Sequence, residues 1–64
     1  MEQSIAFNAQ NAAAHSNLGE AYRAAGRLDD AIESYRRAVH LKPDYVEAYS
    51  NLGNALRERG HLDE

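Results

Sequence analysis

The sequence predicts an all-α fold, a superhelix of antiparallel helix pairs with about one and a half to two repeats. Three observations lead there. Sliding the 64-residue chain against itself by 34 positions aligns 11–30 with 45–64. Ten of the twenty pairs are identical: Ala14/Ala48, Ser16/Ser50, Asn17/Asn51, Leu18/Leu52, Gly19/Gly53, Ala21/Ala55, Arg23/Arg57, Gly26/Gly60, Leu28/Leu62 and Asp29/Asp63. Chance would give on the order of one match in twenty, so a unit has been duplicated. Within the unit apolar residues recur at helical spacing, and no segment alternates apolar and polar residues as a half-buried strand does. The chain therefore divides into the end of a partial repeat at 1–11, a complete repeat at 12–45, and the opening of another at 46–64.

Each element has its own signals. A short helix is expected near Gln3–Asn8, where Ile5 and Phe7 align with Val39 and Leu41 of the unit. Asn11 is suited to cap the next helix, Ala12–Ala25, whose apolar stripe is Ala14, Leu18, Ala21, Tyr22 and Ala25. Gly26 supplies the left-handed residue that ends it. A helix over Leu28–Leu41 follows, with Ala31, Ile32, Tyr35, Ala38 and Val39 on one side, and Pro43 turns the chain away. Asp44 and Glu47 have capping-box spacing before a helix over Val46–Arg59. Gly60-His61-Leu62-Asp63 then reads as the turn into a partner helix. Gly19 and Gly53 fall inside helices, where glycine costs about 1 kcal/mol relative to alanine. That cost implies a neighbouring helix too close to admit a side chain.

Composition narrows the function classes. Hydrophobic residues make up 44% and charged residues 27%, a globular balance. Ten acidic against seven basic residues give a net charge of −3, which disfavours nonspecific nucleic-acid binding through phosphates. No apolar run is long enough to span a membrane, and no targeting segment is evident, so a cytoplasmic location is expected. Without cysteine there is no disulfide framework or thiolate site. His15, His40 and His61 lack a metal-ligand spacing, and Ser16 and Ser50 have no adjacent base with an orienting acid. Asp29 and Asp30 open a helix, where acids meet the positive end of its dipole. No Gly-rich loop joins a strand to a helix. Arg36, Arg37, His40 and Lys42 form a basic cluster that reads as a solvated helix face. No catalytic, cofactor or metal site is expected.

The stretch His15-x2-Leu18-Gly19-x2-Tyr22, followed by Ala31-x3-Tyr35, Ala38 and Pro43, resembles a tetratricopeptide repeat. The next copy opens as Tyr49-x2-Leu52-Gly53-x2-Leu56. Departures are His15, where the pattern prefers Trp, and Leu56, where it prefers Tyr. The resemblance implies a noncatalytic protein-interaction module whose concave side takes protein or peptide partners. On that side it suggests Ser16, Asn17, Glu20 and Arg23, then Glu47, Ser50, Asn51, Asn54, Arg57 and Glu58. Asn17 and Asn51, one repeat apart, are similar to the asparagine ladder in the repeat arm of O-linked N-acetylglucosamine transferases. Such amides can both donate to and accept from a peptide backbone. Binding of a chaperone C-terminal carboxylate is disfavoured: Ser16 and Glu20 stand where that clamp needs lysine and asparagine.

Repeat arrays are stabilised by neighbour interfaces and end in polar caps. Uncapped ends here imply self-association into a homo-oligomer, through Ile5, Phe7, Tyr49, Leu52, Leu56 and Leu62. Head-to-tail completion of a shared repeat is one geometry, and a dimer pairing the last helices is the other. Two alternatives accompany the interaction module: a piece of a glycosyltransferase's substrate-recognition arm, and a self-assembling structural block.

Overall fold

The computed structural model describes residues 2–63, with side chains from 10 to 60. Three helices follow one another: α1 over Glu2–Ala24, α2 over Leu28–Leu41 and α3 over Val46–Asp63. No strand occurs among the described residues. Helix α2 packs against both α1 and α3, which barely touch each other. This is the expected all-α arrangement of consecutive antiparallel helices.

Both ends of the chain are more continuous than expected. Helix α1 runs unbroken through Asn11, so that residue lies inside the helix instead of capping it, and the boundary between 11 and 12 falls within α1. Ala9, Ala12, Ala13 and Ala14 surround it without a Gly or Pro, and alanine is the strongest helix former. Helix α3 likewise passes through Gly60 to Asp63, where a turn into a partner helix was expected.

Gly26 does stop α1. Its φ is +82°, the one positive value among the described residues. The Arg27 N–H donates to the Tyr22 carbonyl at 2.8 Å and the Gly26 N–H to the Arg23 carbonyl at 3.0 Å, which together make a Schellman motif. The side-chain contact that closes such a motif is here the Arg27 guanidinium over the Tyr22 ring, 5.4 Å from its centroid. Shifted by one repeat, those partners become Leu56 and His61, which offer no cation–π pair. Gly60 keeps helical dihedrals accordingly.

The second turn is set by Pro43 and Asp44, with the Tyr45 N–H donating to the Lys42 carbonyl at 3.0 Å. The first turn of α3 closes from the Tyr49 N–H to the Tyr45 carbonyl, so Tyr45 occupies the capping position. The expected Asp44–Glu47 box is one residue out of step and makes no bond. Asp29 and Asp30 sit in the first turn of α2 as expected, and Asp30 pairs back to Arg27 at 2.7 Å.

The core is Ala31, Ile32 and Tyr35 of α2 with Ala55 of α3, and Tyr22 and Leu52 pack against it. Burying Ile32 contributes about 2 kcal/mol. Of the stripe expected on α1, only Tyr22 packs onto the core that α2 carries. Ala14, Ala21 and Ala25 are exposed and Leu18 is 45% exposed, while α1 buries Ala12, Ser16 and Gly19. The reason is steric. A Cβ on Gly19 would come within 2.7–2.9 Å of the Tyr35 ring, so only glycine admits that ring. In α3 the same repeat residues turn the other way: Ala48 and Ala55 are fully buried against α2, and Leu52 is half-buried.

Candidate functional site

The helix period places Asn17, Glu20 and Ala24 on one side of α1, and Asn51, Asn54 and Glu58 on the matching side of α3. Asn17, Glu20 and Ala24 are exposed, and the three α3 residues are half-buried. A recess of about 310 Å³ opens between the two helices, lined by Glu20, Arg23, Ala24 and Glu58. Two of its three charged side chains are joined. Arg23 Nε donates to Glu58 Oε1 at 3.0 Å and Nη2 to Oε2 at 2.8 Å, a bidentate bridge across neighbouring repeats. That bridge raises the Arg23 pKa and holds the Glu58 carboxyl below its usual value.

Tyr35 lies beneath this region. It is fully buried, and its hydroxyl has no hydrogen-bond partner among the described residues. Burial pushes its phenol pKa up, Glu20 adds to the shift and Arg23 opposes it.

The sequence-derived concave set divides. Glu20, Arg23 and Glu58 line the α1–α3 recess, and the helix period puts Asn17, Asn51 and Asn54 on the same sides of their helices. Ser16 is only 3% exposed and packs against α2, so its hydroxyl does not face a partner. Glu47 is exposed at the start of α3, and Ser50 and Arg57 are exposed toward its outer side. Neither Asn17 nor Asn51 is among the side chains that hydrogen-bond within the described residues.

The end residues divide too. Tyr49 and Leu56 are 48% and 42% exposed, but Leu52 turns inward onto the core. Ile5, Phe7 and Leu62 lie outside the described side chains.

A second recess, about 540 Å³, lies on the other side of the α1–α2 pair and was not anticipated as a site. It brings His15 to Glu33, Arg36, Arg37, His40 and Leu41. The signal for it was the i, i+3, i+4, i+7 spacing of Glu33, Arg36, Arg37 and His40 on α2. Glu33 pairs with Arg37 at 3.5 Å, so part of that charge is internally balanced. Among the described residues no three His, Asp or Glu side chains are grouped to hold a metal ion. No helix of the described chain is long and apolar enough to cross a membrane.

Comparison with protein families agrees with the helix-pair architecture. A family model described as a TPR repeat matches residues 19–60, and another, described as a tetratricopeptide repeat, matches residues 1–33. The chain belongs to the tetratricopeptide-repeat family. No curated protein and no solved structure matches it. Within this tetratricopeptide-repeat chain Gly19 lies against the Tyr35 ring, and the recess lined by Glu20, Arg23, Ala24 and Glu58 lies between α1 and α3.

Proposed function

We propose that this tetratricopeptide-repeat chain is a noncatalytic protein-interaction module that takes an extended peptide along the α1–α3 groove and also self-associates. The observation that carries the peptide reading is the pair Asn17 and Asn51. They stand one repeat apart on the same side of successive first helices, and among the described residues neither amide is engaged by another side chain. An amide offers a donor and an acceptor together, which suits the alternating N–H and C=O groups of an extended backbone. The Arg23–Glu58 bridge supports the same reading, because it fixes the spacing of the two helices beside the amides. The cation of the recess, Arg23, is already paired with Glu58, and Glu20 adds a negative charge, so recognition through backbone hydrogen bonds is favoured over recognition of a terminal carboxylate.

The test is a screen of displayed extended peptides, followed by affinity measurement on the strongest binder. Replacing both amides, Asn17→Ala with Asn51→Ala, is expected to weaken binding by about thirtyfold, as two hydrogen bonds of about 1 kcal/mol each imply. Helical circular dichroism stays unchanged. An affinity that survives the double substitution sinks the groove reading.

A further inference from the structure

Helix α3 presents an exposed apolar stripe whose Leu56 end borders a recess beside α2. Val46, Tyr49 and Leu56 are 76%, 48% and 42% exposed, and they are three of the four large apolar side chains exposed among the described residues. The fourth, Leu18, is on α1. With Gly53 they occupy positions 46, 49, 53 and 56, the three-and-four spacing that draws a seam along a helix. Among the described residues a Cβ on Gly53 would meet nothing within 4 Å, so the seam has an open notch.

The repeat shows what such a notch accepts. One repeat earlier, Gly53 corresponds to Gly19, which lies directly against the Tyr35 ring of the antiparallel helix α2. The notch on α1 is thus filled by a tyrosine. On α3 it is empty, and a tyrosine stands one turn before it, at position 49. Knob and notch on one helix, four residues apart, make a self-complementary surface under two-fold symmetry.

We propose that this seam is the interface for a second copy of the chain, with α3 packed antiparallel on α3 about a two-fold axis level with position 51. This deepens the self-association reading and rests on it. In that register Tyr49 of each copy enters the Gly53 notch of the other, and Val46 of each meets Leu56 of the other. Every contact is made twice. The seam is short, well under the roughly 800 Å² per partner of a standard interface, so the dimer is weak and concentration-dependent. Leu52 takes no part because α2 already covers it, and the axis passes on the side of α3 opposite the peptide groove.

Size-exclusion chromatography with light scattering, run from micromolar to millimolar chain, tests this. The mass is expected to rise from 7.1 kDa toward twice that value. Gly53→Tyr plugs the notch and Tyr49→Gly removes the knob, and each single variant stays at the monomer mass. Combining them exchanges knob and notch and restores the dimer. Both positions are exposed, so unchanged helical circular dichroism shows that each variant folds. A parent chain that remains monomeric at every concentration overturns self-association as a whole. Single variants that still dimerise, or a double variant that is not rescued, overturn this interface while self-association itself stands. Asn17→Ala with Asn51→Ala leaves the mass curve unchanged, which separates this result from the groove reading.

Discussion

Tyr35 is the largest fully buried side chain among the described residues, and its ring leaves no room for a side chain on Gly19. Its ring replaces the side chain that Gly19 lacks, which explains why a helix interior accepts the roughly 1 kcal/mol cost of glycine. Its hydroxyl contributes nothing comparable, since it is buried with no partner among the described residues. A buried unsatisfied hydroxyl costs about 1–3 kcal/mol, and removing it while keeping the ring recovers part of that. Tyr35→Phe is therefore expected to raise unfolding stability by about 1 kcal/mol in urea denaturation. A loss of stability would mean that the hydroxyl is satisfied in solution, by Arg23 or by ordered water.

At the scale of the element, the two equivalent glycines Gly26 and Gly60 have opposite roles. Gly26 sits at φ +82° in a Schellman motif closed by Arg27 over Tyr22, whereas Gly60 lies inside α3. Gly26→Ala places a side chain in a left-handed conformation and is expected to lower stability by about 1–2 kcal/mol. Gly60→Ala is expected to raise it by up to about 1 kcal/mol through helix propensity. Thermal melts of the two variants check the pair, and equal effects would contradict the difference between the two helix ends. This contrast marks how far the sequence was legible. Helix α2 was readable to its bounds because its stop signals and apolar face agree. Identity between repeats correctly announced the unit, but it could not say which side of each copy is covered. Ala14 and Ala48 are the same residue at the same repeat position, one exposed and the other buried, because α2 lies on opposite sides of α1 and α3. Ser16 was expected on the accessible side and is buried, which its residue type does not announce.

Across the whole molecule, α1 and α3 are held in relation mainly through α2, and the direct link between them is the Arg23–Glu58 bridge. The bridge makes the groove's geometry sensitive to acid. Hydrogen bonding from Arg23 is the main cause that lowers the Glu58 pKa from its ordinary 4.5, with partial desolvation opposing it. A carboxyl whose folded pKa is depressed stabilises the fold above its unfolded value and loses that contribution as pH falls through the folded one. The stabilisation is thus complete at neutral pH and begins to fade below about pH 4.5. Glu58→Gln removes the charge at every pH. Its melting temperature is expected to lie below that of the parent chain at pH 7, and the two are expected to converge as pH drops below the ordinary carboxylate range. Because the bridge is partly exposed, added salt should narrow the gap at pH 7 as well. A gap that persists unchanged at acid pH would assign the effect of the substitution to lost packing of the Glu58 side chain, and would remove the bridge as the element that sets the α1–α3 spacing.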